Sequence, residues 1–95
     1  MTEAELQAQI IEIMKRFGWF AFIVSRPDKR TTAKKGLPDI WASKAGRSMW
    51  VEVKLPKGVL SPGQEYFRDD CVRQGVEWHE VRSVEDVLKI IKGGG

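Results

Sequence analysis

Residues 48–55, Ser-Met-Trp-Val-Glu-Val-Lys-Leu, alternate step by step: Met49, Val51, Val53 and Leu55 fall on one side, Trp50, Glu52 and Lys54 on the other. Side chains on a strand change face at every residue, so the run predicts a β-strand with one apolar face. Its second face sets a carboxylate and an ammonium two residues apart. Burying such a pair is costly unless partners of the right charge meet it. A divalent cation for Glu52 and a phosphate for Lys54 would meet both needs.

Upstream, Ala45-Gly46-Arg47 makes a tight turn back into a short strand over Leu37–Ser43, entered through Gly36 and Pro38. Asp39 stands at the start of that strand. The hairpin lets Asp39 and Glu52 project to one face, where two carboxylates repel unless a cation lies between them. Hard oxygen ligands without soft neighbours favour Mg²⁺ or Mn²⁺ over zinc.

Further upstream, Trp19–Ser25 is aromatic and β-branched and predicts a buried strand. Thr2–Phe17 predicts an amphipathic helix, capped by Thr2, with Glu3 and Glu5 in the first turn and Gly18 at its end. Its apolar stripe is Leu6, Ile10, Ile13, Met14 and Phe17, and Glu3 falls in line with it. Glu3 therefore has two readings: a first-turn acid serving the helix dipole, or a carboxylate reaching a site at the rim of the sheet. Gln7 lies one turn on, on nearly the same side.

Downstream, Pro56-Lys57-Gly58 breaks the strand, and Ser61-Pro62-Gly63-Gln64 starts a helix that runs to about Gln74 and ends at Gly75. Gln64, Phe67, Cys71 and Gln74 form its inner stripe. Gln64 either closes a capping box with Ser61 or faces the site. Val76–Val81 predicts a last strand, and Ser83 caps a final helix through Ile91, buried by Val84, Val87, Leu88 and Ile91. His79, the only histidine, is expected at an edge or surface rather than as a base.

Between the first two strands runs the most basic part of the chain. Arg26, Lys29, Arg30, Lys34 and Lys35 face only Asp28 across residues 26–36, which predict a loop. Such a loop is either solvated surface or a phosphate-backbone contact, which needs cations and hydroxyl donors rather than a fixed fold. Chain-wide, 16 Lys and Arg against 13 Asp and Glu give a net charge of +3, which permits an acidic partner without demanding one. Trp41, Trp50, Tyr66 and Trp78 serve either core packing or contact with a second copy.

Ninety-five residues make one domain, expected over residues 1–92 with residues 93–95 as a flexible glycine tail. One cysteine, Cys71, excludes a disulfide framework and a zinc cluster, and a buried inert thiol is expected. No apolar run approaches the ~18 residues of a membrane span and the N-terminus lacks a signal segment, so the expected location is the cytoplasm.

The predicted order, helix, three strands, helix, strand, helix, resembles the αβββαβ core of the PD-(D/E)XK nuclease superfamily: an α/β fold with a mixed sheet flanked by helices and a C-terminal helix. Pro38-Asp39 and Glu52-Val53-Lys54 match its motif in order and strand phase. The chain is most similar to the VRR-NUC (virus-type replication–repair nuclease) family, which also has counterparts of Glu3 and Gln7, of Gly36 to Asp39, and of Ser61 to Gln64. The resemblance implies a Mg²⁺- or Mn²⁺-dependent DNA endonuclease. Asp39, Glu52 and the Val53 carbonyl would hold the ion, and Glu3 would act through a water or a second ion. Lys54 would handle the attacking water, with Gln64 holding Lys54 or a phosphate oxygen. Gln7, Ser61 and the five cations of the loop would contact DNA. Similar freestanding phage proteins act as dimers on branched DNA, so a homodimer cutting four-way junctions, in the host cytoplasm and without a small-molecule cofactor, is expected. Three readings stand against this: a DNA-binding module that keeps the fold without catalysis, a small α/β structural or protein-interaction domain whose basic loop is merely solubilising, and a nuclease preferring flaps or duplex.

Overall fold

The computed structural model describes residues 1–24 and 36–93; the basic stretch Arg26, Lys29, Arg30, Lys34 and Lys35 lies outside the described residues. The elements are α1 (Glu3–Arg16), β1 (Phe20–Ile23), β2 (Ile40–Lys44), β3 (Arg47–Val53), α2 (Pro62–Gln74), β4 (Trp78–Val81) and α3 (Val84–Gly93). The strands form one sheet in the order β1-β2-β3-β4. β1 and β3 run antiparallel to β2, and β4 runs parallel to β3.

Both long helices upstream and downstream of the hairpin begin as their sequences require. Thr2 and Glu5 close a capping box on α1, and Ser61 and Gln64 close one on α2. Gly75, left-handed at φ 71°, ends α2. The β2–β3 hairpin pairs Lys44 with Arg47, leaving Ala45 and Gly46 as a two-residue turn with φ of 49° and 84°. Positive φ at both positions is what a type I′ turn requires to follow the twist of the strands.

Met49, Val51 and Val53 of β3 are at most 1% exposed. They join Ile40 and Ala42 of β2, Val81 of β4, Leu6, Ile10 and Met14 of α1, and Val87 of α3 in one core. α2 covers the opposite face, where Phe67 packs edge-on against Trp50 with centroids 5.5 Å apart. Three layers result, and Cys71 is buried under α2 as expected.

Two expectations fail. The Trp19–Ser25 run is not a buried strand: β1 is a four-residue edge strand on which Phe20, Phe22 and Ile23 are 69%, 43% and 48% exposed. An apolar run without period does not state which face a neighbour will cover. Gln74, placed on the inner stripe of α2, is exposed: it is the last residue of the helix, where the chain turns away through Gly75. Smaller differences are of boundary. Asp39 precedes β2 by one residue, Lys54 and Leu55 follow β3, and α3 continues to Gly93. His79 sits on the edge strand β4, half-buried, as anticipated.

Candidate metal centre

Three acids meet at one end of β3. Carboxylate oxygens of Glu3, Asp39 and Glu52 all lie within 4.8 Å of one another. Each comes from a different element, and each is delivered by a local device. Glu3 opens α1, where the Thr2 cap fixes the first turn. Glu52 is the next-to-last residue of β3. Asp39 follows the fully buried Pro38 and is tied to the sheet twice: its carbonyl accepts from Val24 N–H at 2.8 Å and its Oδ2 accepts from Val53 N–H at 2.9 Å.

The entry to Asp39 depends on a close crossing. A Cβ built at Gly36 would stand 2.0 Å from the Gly63 carbonyl oxygen and 2.6 Å from the Gln64 nitrogen. The φ of +78° at Gly36 also disfavours any other residue. Gly-Leu-Pro-Asp and Ser-Pro-Gly-Gln are thus two halves of one contact, which sets the start of α2 against the segment that leads into Asp39. Gln64 uses its side-chain carbonyl to accept from Ser61 N–H at 2.8 Å, so the capping reading is realised. Ser61, exposed at the N-cap, accepts from Gln64 N–H at 3.2 Å. Gln7 is partly buried one turn beyond Glu3.

Glu52 is 0% exposed, and neither of its oxygens is met by an N–H or hydroxyl donor; the group it meets is another carboxyl, that of Asp39. A buried ionised carboxylate without a donor is held against its solvation. Burial foremost, then the neighbouring Asp39 carboxyl, pushes the Glu52 acid from 4.5 up to about 9; Lys54 pulls the other way and Glu3 adds to the rise. Either a proton or a cation must therefore accompany Glu52, and the converging oxygens of Asp39 and Glu3 suit a cation. The donor set fits a divalent metal.

Lys54 leaves the end of β3, its backbone N–H donating to Val81 O at 3.0 Å. Its side chain runs beside the turn at Gly58, where an added Cβ would stand 3.5 Å from Lys54 Cδ. Arg82 pins that turn: Nη1 donates to the carbonyls of Leu55 (2.8 Å), Pro56 (3.1 Å) and Gly58 (2.7 Å), while Nη2 bonds Glu80. Sequence reasoning missed Arg82, and an arginine between a strand and a helix cap carries no pattern that would reveal it. It also missed the Val53 amide as the anchor of Asp39.

Of the four aromatics offered for a surface, Trp41, Trp50 and Trp78 are half-buried and only Tyr66, 74% exposed, is open. Among the described residues no helix is long and apolar enough to cross a membrane.

A family model described as the VRR-NUC domain matches residues 1–85. No curated protein matches the chain. A solved structure described as a VRR-NUC domain is 24% identical, with 95% of this chain and 94% of that one covered and a TM-score of 0.77. A second, described as a VRR-NUC domain protein, is 22% identical, with 98% and 87% covered and a TM-score of 0.75. Hjc of Archaeoglobus fulgidus, a Holliday junction resolvase from an archaeal hyperthermophile, is 19% identical, with 84% and 67% covered and a TM-score of 0.62. These three likenesses bear on the fold.

Proposed function

The chain belongs to the VRR-NUC family of nucleases, and from that premise we propose a divalent-metal-dependent endonuclease that hydrolyses DNA phosphodiester bonds. The observation that carries the proposal is Glu52: fully buried, without a donor, and grouped with Asp39 and Glu3 two residues from Lys54. A pure binding module has no use for so unfavourable a carboxylate.

In this reading Asp39, Glu52 and the Val53 carbonyl would hold Mg²⁺ or Mn²⁺, and Glu3 would act through a water or a second ion. Such an ion would supply a more acidic water and neutralise charge on the phosphate. Lys54 orients the attacking water, helps remove its proton, and stabilises the negative charge that builds on the phosphoryl oxygens. Gln64 has its carbonyl engaged with Ser61, so contact with Lys54 or a phosphate oxygen falls to its side-chain amide. Water attacks phosphorus and the P–O bond to the leaving strand breaks, without a covalent enzyme intermediate. Cys71 is buried and His79 is bonded to Glu77 at 2.6 Å, so neither is placed as a nucleophile. Gln7, Ser61 and the cations Arg26, Lys29, Arg30, Lys34 and Lys35 contact DNA.

The substrate in this reading is branched DNA such as a four-way junction. Each copy has one such acidic cluster among the described residues and in this reading cuts one strand, so paired cuts across a junction call for a homodimer with two-fold symmetry. The likeness to a junction resolvase supports this choice. The test is a panel of junction, flap, splayed-arm and duplex DNA with Mg²⁺ or Mn²⁺, run beside a sizing column. Cleavage lost in Asp39→Ala and in Lys54→Ala is expected. A wild type that binds DNA but never cuts it under either ion would leave only a binding module.

A further inference from the structure

Four aromatic residues stand in one row across the sheet: Phe22 pairs with Trp41, Trp41 with Trp50, and Trp50 with Trp78. Paired residues share a face, and Trp50 shares its face with Glu52, two residues on. The row therefore lies on the side of the sheet that carries the acids. Trp41 and Trp50 meet at 4.7 Å between centroids, and Phe67 of α2 closes over Trp50. α2 does not cover the β1 end. There Phe22 is 43% exposed and Phe20 69%, their rings edge to face at 5.5 Å. The adjoining row, toward the end of β3, holds Asp39 and Glu52. Strand spacing and rise put the Phe22 backbone about 8 Å from that of Asp39 and about 12 Å from that of Glu52.

We infer that Phe20 and Phe22 form a stacking platform for unpaired bases of the DNA strand whose phosphate enters the acidic cluster, a reading that rests on the nuclease function proposed above. Every base offers a π-face, so open aromatic rings recognise unstacked nucleotides without regard to sequence. A continuous duplex hides those faces, and the platform favours DNA with an interruption beside the cut. Charge agrees: from β1 the chain runs in sequence into five cations opposed by one carboxylate over residues 26–36. A second copy fits the patch less well. Two phenylalanines offer about 150–250 Å² each, here only partly exposed, against about 800 Å² per partner in a stable interface. Ile23 alternates to the opposite face and adds nothing.

The full chain is tested as Phe20→Leu/Phe22→Leu, which keeps apolar bulk and removes both rings, with Phe20→Leu alone as the variant least able to disturb folding. Affinity is measured in EDTA for a single-stranded oligonucleotide carrying 2-aminopurine and for the continuous duplex of the same sequence, with sedimentation run in parallel. The double variant is expected to bind the single strand about 10-fold more weakly, to lose the stacking quench of 2-aminopurine, and to hold duplex affinity within about twofold. Unchanged single-strand binding, or equal losses on both DNAs, overturns the platform. So does a dimer that falls apart in the variant, which would make a second copy the occupant. Because binding is read without cleavage, failure of the nuclease reading shows separately, as a wild type that stacks bases and cuts nothing under Mg²⁺ or Mn²⁺.

Discussion

Glu52 and Glu77 stand near opposite ends of β3, and their surroundings drive the same side chain in opposite directions. Beside the start of the strand, Glu77 accepts from Arg47 Nε at 3.0 Å and Nη2 at 2.6 Å, and it meets His79 Nε2 at 2.6 Å. Its main-chain carbonyl takes Trp50 N–H at 2.9 Å. The Arg47 hydrogen bond, with help from His79, holds the Glu77 carboxyl down from 4.5 to about 2. At the far end Glu52 has no donor, and burial lifts it to about 9. One carboxylate is satisfied by the fold and the other is left in want by it. Polar groups satisfied within the fold serve the fold; an unsatisfied one in a core needs a proton or a cation to accompany it.

The largest effect that separates the two glutamates is on cleavage. Glu52→Gln keeps the size of the side chain and removes the charge that a cation needs. DNA cleavage under Mg²⁺ or Mn²⁺ is expected to fall by well over a hundredfold, since even groups that only support a metal ligand are worth about 10- to 100-fold. Glu77→Gln is expected to leave the rate within about twofold. Comparable losses in both variants, measured on one junction substrate, would erase the distinction.

Stability sharpens it further, with the sign reversed. In EDTA, Glu52→Gln is expected to be more stable than the wild type at neutral pH by about 1–3 kcal/mol, the usual cost of a buried group left unsatisfied. For a domain of this size that is roughly 4–8 °C in melting temperature per kcal/mol. The native state holds the Glu52 proton more tightly than the unfolded chain does. The contribution of Glu52 to wild-type stability is therefore greatest below pH 4.5 and is lost as pH rises toward about 9. Glutamine does not titrate, so the gap between variant and wild type should widen over that window. Thermal melts from pH 5 to 9 read this directly, and parallel curves would contradict it. Added Mg²⁺ should raise the wild-type melting temperature and leave Glu52→Gln unmoved.

How much of this contrast the sequence discloses depends on whether a residue's signal is local. The alternation of Met49, Val51 and Val53 with Trp50 and Glu52 is local, and it places β3 and its acid correctly. Ser61-Pro62-Gly63-Gln64 is local too, and the box it predicts is formed. Glu3 was half legible: its phase on the α1 stripe is in the sequence, but only the packing of that helix brings its first turn to Asp39 and Glu52. Phe20 and Phe22 misled because strand propensity says nothing about where a covering helix stops. Asp39 leaning on the Val53 amide, and Arg82 gathering three carbonyls, were out of reach: their partners are backbone atoms, alike in every residue. Arg47 and Glu77 are 30 residues apart, and nothing at either position announces the other.

That last pair gives the smallest effect and the most specific check. Glu77 is partly open, its side chain 29% exposed, so solvent screens the ion pair and Glu77→Gln should cost only about 1 kcal/mol at pH 7. The sign follows from the depressed carboxyl. Its stabilisation is fully present above the unfolded value of 4.5 and is lost as pH falls through about 2. Acid melts should therefore converge: wild type above the variant at pH 5, the two together near pH 2. The Arg47 guanidinium also lies over the Trp19 ring, 5.6 Å from its centroid, and that contact survives in Glu77→Gln, which keeps the loss small. A variant that lost several kcal/mol, or kept its full deficit at pH 2, would mean that Glu77 holds the β3–β4 junction by something other than its charge, and the contrast with Glu52 would no longer be one of satisfied against unsatisfied carboxylates.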